Sequence, residues 1–242
     1  MPRQDGVSII TCTHLPRYMN NIFDNYARQT YPVKELIIVL NSSYLDINDW
    51  YNKAKAYKNV KIIRRPETDS VGTCLNYAMK ETRYPYFSIF DHDDYYGQDY
   101  LNDFMSIAPY SSAMIFGKKT HYVYFEDQKT LALIHPGKEN SYVNYIINCT
   151  LFGKKEVFNK VKFIDSNVVD EQFGADCTKL GIKLYAIHPY NFAYIRHDDL
   201  TLHTYKLENN KLLEKYCEFV ARVDDYRPWV NKKIEYNVSH IT

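Results

Sequence analysis

Short apolar runs alternate with helix-period segments along the first hundred residues. Val7–Cys12 and Glu35–Leu40 are continuous apolar or β-branched stretches, the pattern of strands covered on both faces. Asn59–Ile63 and Tyr86–Phe90 repeat it. Between them, Tyr18–Arg28 sets Met19, Ile22, Phe23 and Tyr26 on one helical face, and Asp46–Tyr57 does the same with Ile47, Trp50 and Ala54. Val71–Thr82 reads as a third helix, entered through Ser70-Val71-Gly72. Repeated βα units of this length predict an α/β fold with a Rossmann-like, mostly parallel central sheet flanked by helices. Right-handed crossovers put the strand ends along one rim.

After Asp94 the rhythm changes. Leu101–Ile107 reads as a helix, Ala113–Phe116 as a strand, and Thr120–Glu126 with Leu131–Ile134 as a hairpin around Asp127-Gln128. Asn148–Phe152 is a strand candidate, followed by helices over Lys154–Lys160 and Asp170–Leu180, the second stopped at Gly181. Lys183–Ile187 and Phe192–Ile195 are short strands, and Leu207–Val223 is the longest helical pattern. From Pro228 the tail is unpatterned. Without a repeat or linker, residues 1–242 are expected to form one domain: a nucleotide-type sheet over 1–98, a substrate annex with a smaller mixed sheet over 99–205, and a C-terminal helix and tail over 206–242.

At 242 residues and 45% hydrophobic, the chain can bury one large core. A formal charge of +1 without a long basic run argues against nucleic acid as a partner. The longest aliphatic run, Leu36–Leu40, is far too short for a transmembrane segment, and Met1–Asp5 lack the apolar core of a signal peptide. Cys12, Cys74, Cys149, Cys177 and Cys217 are odd in number and scattered, which suits a reducing cytosol better than a disulfide framework. The expected location is therefore cytoplasmic. The 24 tyrosines exceed what a core needs and suit a sugar- or peptide-binding surface.

The most informative chemistry is Asp91-His92-Asp93-Asp94, which closes the Tyr86–Phe90 strand. Residues two apart on an extended chain point the same way, so Asp91 and Asp93 can offer carboxylates to one spot. Such oxygens suit Mn²⁺ or Mg²⁺, and a metal at the carboxyl end of an α/β strand is well placed for a nucleotide diphosphate. An acidic turn with Asp94 capping the next helix is the plainer alternative.

The order of motifs resembles family 2 glycosyltransferases of the GT-A fold. Val7-Ser8-Ile9-Ile10-Thr11-Cys12-Thr13, Gln29-Thr30-Tyr31-Pro32 and Glu35-Leu36-Ile37-Ile38-Val39 are similar to the amino-terminal half of that family. Gly72 and Asn76 precede the fourth strand as a Gly and an Asn do there, and Phe90-Asp91-His92-Asp93-Asp94 resembles its Asp-x-Asp motif. Val169-Asp170-Glu171-Gln172-Phe173, followed by Gly181-Ile182-Lys183, resembles the helix start that carries its catalytic base. The resemblance covers roughly residues 7–205 and is of the bacterial cell-surface or spore-coat type.

What it implies is a metal-dependent, inverting transfer of a hexosyl-type sugar from a nucleoside-diphosphate sugar to a glycan or other hydroxyl-bearing acceptor. Asp93 is the first choice of metal ligand and Asp91 the second; Asp91 alternatively touches ribose, and Asp94 supports the turn. Asp170 aligns with the base and Glu171 is the fallback. Thr11, Thr13, His14, Asn41 and Asn76 join Asp91 as expected nucleotide-sugar contacts. His203 sits where many GT-A enzymes hold metal or diphosphate, and His197 competes for that role. Arg64, Arg65, Lys118 and Lys119 could meet phosphates.

Departures from the family pattern bear on the nucleobase. Leu40-Asn41-Ser42-Ser43 stands where Asp-Asp-Gly-Ser is usual; Leu40 cannot accept a hydrogen bond, so either Asn41 takes over or the base is read differently. Cys12-Thr13-His14 replaces Pro-Thr-Tyr, Leu75-Asn76 replaces Arg-Asn, and Val169 replaces a Glu. The competing readings are a catalytically silent nucleotide-sugar-binding module and a nucleotidyltransferase-like enzyme; the second normally needs a Gly-rich loop after the first strand, and Cys12–Arg17 has no glycine.

Overall fold

A computed structural model describes residues 5–203 and 205–235. Its first half follows the sequence pattern: β1 (Val7–Thr13), α1 (Met19–Arg28), β2 (Lys34–Leu40), α2 (Ile47–Ala54), β3 (Val60–Arg64), α3 (Val71–Glu81) and β4 (Tyr86–Ile89). Asp46 starts α2 by accepting the Asn48 N–H at 2.9 Å, and Ser70 starts α3 by accepting that of Thr73 at 3.2 Å. There follow β5 (Tyr95–Tyr96), α4 (Tyr100–Met105), β6 (Ile115–Gly117), β7 (His121–Phe125), β8 (Thr130–Ile134), β9 (Ser141–Val143) and β10 (Phe152–Lys154). The chain ends with α5 (Asp170–Lys179), β11 (Leu184–Ala186), β12 (Phe192–Arg196), α6 (Asn209–Tyr216), β13 (Cys217–Arg222) and α7 (Arg227–Val230).

An eight-stranded sheet runs β3-β2-β1-β4-β10-β6-β11-β9, and a five-stranded one runs β13-β8-β7-β12-β5. The pairs β3–β2, β2–β1 and β1–β4 are parallel, so three βα units bring the carboxyl ends of these strands to one edge. The expected α/β architecture, a large mostly parallel sheet with a smaller mixed one, is the architecture found. Strand alternation divides the core between the two faces. Ile9, Leu36, Ile38 and Leu40 pack with Phe23, Trp50, Tyr100 and Phe104, while Ile10, Ile37 and Val39 pack with Leu75, Phe158 and Phe173.

Corrections fall in the second half. The helix expected over Leu207–Val223, and with it a long C-terminal helix, stops at Tyr216; Cys217–Arg222 instead pairs antiparallel with β8. The open edge of β8 outweighs helical periodicity there, because ladder hydrogen bonds are worth more to the backbone than weak propensity. Lys155–Asn159 is a 3-10 helix, and Asn148–Thr150 forms a 3-10 turn leading into β10. The hairpin around Asp127-Gln128 forms with Phe125 opposite Thr130. β5 and β9 are too short to leave a pattern. Residues 236–242 of the tail lie outside the described residues. Among the described residues no helix is long and apolar enough to cross a membrane.

Candidate active site

The segment after β4 is held from three sides. The Asp91 N–H donates to Tyr96 Oη at 2.8 Å, and that hydroxyl donates onward to the Cys149 carbonyl at 2.6 Å. The Tyr96 ring stacks on Phe90 with centroids 3.7 Å apart. From α1, Asn21 donates to the carbonyls of His92 (2.8 Å) and Asp94 (2.9 Å), while buried Asn25 donates to the Asp94 carbonyl and accepts the Tyr96 N–H. Asp94 does not cap a helix. Fully buried, it accepts the Ile195 N–H at 2.9 Å and so ties this loop to β12 of the second sheet.

Three carboxylates therefore crowd one corner, and their charges register it. Burial, the Asp93 charge and the Asp170 charge push Asp91 up to about 7. Burial works against the charge of Asp93 too, but the hydrogen bond with His197 and the nearby His92 prevail and hold it below the ordinary carboxylate range. Asp94 is driven well up by burial and its two acidic neighbours.

Asp91, Asp94 and Cys149 bring ligand atoms within 4.8 Å of one another. That trio fits a hard cation poorly: burial keeps the Cys149 thiol protonated, and one Asp94 oxygen is already spent on β12. Asp91 and Asp93 fit better. Both are partly open, and a divalent cation would offset the burial and the acidic neighbours that together hold a proton on Asp91.

The two candidate histidines occupy different environments. His197 has Nδ1 at 2.6 Å from Glu126 Oε2, leaving Nε2 at 3.1 Å from Tyr18 Oη and 3.6 Å from Asp93 Oδ2. Its pKa is raised, chiefly by Asp93, with burial opposing and Glu126 helping. His203 is buried, and its Nε2 accepts the His197 backbone N–H at 2.9 Å; the ring proton then sits on Nδ1, 3.2 Å from Tyr194 Oη. Burial pushes this imidazole down to about 4, so it stays neutral. The structure thus sets His197 against Asp93 and His203 behind His197. Arg196, fully buried, fastens the following segment by donating to Asn209 Oδ1 (2.9 Å), the Tyr205 carbonyl (3.0 Å) and the Leu207 carbonyl.

Asp170 opens α5, and the loop that delivers it is clamped by α3. Asn76 spends its carboxamide on Phe163, donating to the carbonyl at 2.7 Å and accepting the N–H at 3.1 Å. Gly72 N–H donates to the Ser166 carbonyl at 3.0 Å, and a Cβ on Gly72 would stand 1.9 Å from the Ile164 oxygen. Ser70 and Thr73 hydroxyls both reach Asp165. Asn76 is therefore a correction to the expected nucleotide contacts: its polar groups hold a loop. Asp170 Oδ2 accepts the Tyr145 hydroxyl at 2.7 Å, whereas Glu171 faces solvent.

Thr11 and Thr13 are both buried, and Thr13 Oγ1 accepts the Leu15 N–H at 3.2 Å. His14 is exposed at the same rim, edge-on to His92 at 6.0 Å, and His92 stacks on Tyr18 at 4.6 Å. The Asn41 N–H donates to the Thr13 carbonyl at 3.1 Å, leaving its side chain half-buried. Arg64 bonds the Leu45 carbonyl and Arg65 pairs with Asp69 at 2.5 Å, so neither is a free phosphate ligand. Lys118 is inside the protein, donating to the His188 carbonyl at 2.9 Å; burial pulls it down to about 8. The sequence reading missed Asn21, Asn25, Tyr96, Glu126, Tyr145 and Arg196. Asn21 and Asn25, one helical turn apart beside an apolar face, left the clearest trace.

The family model for glycosyl transferase family 2 matches residues 8–163. No curated protein matches the sequence. Among solved structures, S. aureus TarS 1–349 is 16% identical with a TM-score of 0.61, covering 78% of this chain and 60% of that one. TarS 1–349 in complex with UDP-GlcNAc gives 15% and 0.63 over 79% and 58%. The mannosyltransferase PcManGT from Pyrobaculum calidifontis, in complex with GDP-Man and Mn²⁺, gives 14% and 0.57 over 84% and 59%. At these identities the likeness is one of fold, and the chain spans about 60% of the length of those structures.

Proposed function

Because this chain belongs to glycosyl transferase family 2, we propose that it moves a sugar from a nucleoside-diphosphate sugar to an acceptor hydroxyl, inverting the anomeric carbon, with Asp170 as general base. What supports the reading is that the Asp170 charge, like that of Asp93, reaches Asp91, as expected if a cation at the strand tip and a base at the start of α5 serve one reaction. Proteins of the same fold in complex with UDP-GlcNAc, or with GDP-Man and Mn²⁺, support the donor class.

Asp91 and Asp93 would hold a Mn²⁺ or Mg²⁺ ion, and His197 is better placed than His203 to join them. Bound there, the ion would neutralise charge developing on the diphosphate leaving group. The rest is the work of the chain. Asp170, fixed by the loop that Gly72 and Asn76 clamp, takes the proton of the acceptor hydroxyl as its oxygen attacks. Asn21 and Asn25 keep the Asp91–Asp94 backbone from moving as charge shifts. His14 and the half-buried Asn41 would meet the nucleoside at the strand ends, with buried Thr11 and Thr13 supporting them from beneath. Glu171, exposed, is left to the acceptor side.

Thermal-shift measurements against a panel of nucleoside-diphosphate sugars, with and without Mn²⁺, test this reading. A melting point raised by one donor only when Mn²⁺ is present, and no longer raised in Asp93→Ala, is the expected result. An unchanged melting point for every donor overturns it.

A further inference from the structure

A general base needs an oxygen free to receive the acceptor's proton. In this structure Tyr145 is already there, its Oη 2.7 Å from Asp170 Oδ2. A phenol O–H meeting a carboxylate in this way has the same geometry and polarity as a sugar hydroxyl about to be deprotonated. Burial and the Asp170 charge raise the Tyr145 pKa, so the phenol stays a donor and cannot serve as the base itself.

We propose that Tyr145 is a latch on the acceptor site: its hydroxyl stands in for the acceptor's on Asp170 until a polyhydroxylated acceptor, settling beside α5, displaces it. This rests on the reading of Asp170 as base. The backbone that carries Tyr145 is fixed, because it lies flat on α5 at Gly174, where a Cβ would come within 2.8 Å of the Asn144 oxygen and 3.6 Å of Tyr145 Cα. Movement is therefore confined to the side chain. The ring is gripped weakly from above by the Lys119 ammonium, 4.3 Å from its centroid, and Lys119 also feels the Asp170 charge. Next to it opens a concavity of about 580 Å³ lined by Asn144, Tyr145, Glu171, Ala175, Thr178 and Lys179. Its surface is mostly carbon, the tyrosine ring included, on which the C–H face of a sugar can lie, with the polar ends of Asn144, Glu171, Thr178 and Lys179 available to its hydroxyls.

The latch has a chemical purpose. With donor bound and acceptor absent, water could lose a proton to Asp170 and bond its oxygen to the anomeric carbon. The carbon–oxygen bond to the diphosphate would break, its electron pair leaving with the nucleotide, and the donor would be wasted. The Tyr145 hydroxyl fills an acceptor position on Asp170 and lowers the basicity of the carboxylate, so this water is activated less readily.

The test is nucleotide release from the donor that raises the melting point with Mn²⁺, measured without acceptor. Tyr145→Phe keeps the ring and removes only the hydroxyl. Release should rise about fivefold, the weight of one hydrogen bond, while the donor still raises the melting point of the variant as it does that of the wild type. It should vanish in Tyr145→Phe combined with Asp170→Asn. Tyr145→Leu should give the same increase through a different side chain. Release that stays level or falls in both variants, with donor binding intact, overturns the latch and leaves the donor reading standing. If no donor binds the wild-type protein, the reading of function falls and the latch falls with it.

Discussion

His197 Nε2 faces the Asp93 carboxylate at 3.6 Å, while Glu126 holds the opposite ring nitrogen at 2.6 Å. A histidine fixed by a carboxylate behind it is a good ligand, because its tautomer and orientation are set before an ion arrives. His203 is differently employed, its Nε2 taken by the His197 backbone. His197→Ala is expected to weaken Mn²⁺ binding by about tenfold or more with a small change in melting point. His203→Ala should cost about 1–3 kcal/mol of stability, since it strands a buried N–H. Titration calorimetry with Mn²⁺ and chemical denaturation separate the two; equal Mn²⁺ affinity in His197→Ala and wild type would exclude His197 as a ligand.

Asp91 makes the metal-free protein sensitive to pH. Its folded pKa of about 7 lies above the ordinary value of 3.8. Between those values the unfolded chain binds fewer protons than the folded one, so Asp91 subtracts stability as pH rises from about 4 to 7 and nothing further above that. Asp91→Asn should remove the Asp91 share of the decline and leave that of buried Asp94, which denaturation curves at pH 4.5, 6 and 7.5 without divalent ions would reveal as a shallower slope. Mn²⁺ affinity of the wild type should climb across the same interval and flatten above about pH 7, as the ion no longer displaces a proton.

Asp170→Asn preserves shape and removes basicity. Donor binding is expected to persist while transfer falls by about a hundredfold or more. Isothermal titration with the donor, alongside product formation, distinguishes this from a nucleotide-site role, in which binding itself would collapse.

Gly72 and Asn76 act on Asp170 from a distance. Gly72→Ala forces a Cβ against the Ile164 oxygen, a clash with backbone that cannot yield easily. It should cost about 1–3 kcal/mol and lower kcat while donor affinity changes little. Asn76→Ala leaves both backbone groups of Phe163 without their partner and should cost a similar amount, about 1–3 kcal/mol, by denaturation. Donor affinity lost as steeply as kcat in Asn76→Ala would return that residue to the nucleotide site.

What the sequence determined by itself was local. Short apolar runs write β1 to β4 and 3.6-residue periods write α1 to α3, since a strand covered on both faces must be apolar throughout and a helix need show the core only one stripe. The Asp91–Asp94 run and the start of α5 at Asp170 were legible for the same reason, as adjacent residues at element ends. Tertiary structure decided the rest. That Cys217–Arg222 becomes a strand depends on an edge offered by β8, eighty-odd residues earlier in the chain. That Asn76 holds Phe163, Asp94 holds Ile195, and Tyr145 rather than solvent meets Asp170 depends on partners brought together by the sheets. A polar side chain carries the capacity for a hydrogen bond in its own chemistry, but the partner is chosen by whatever folding places beside it.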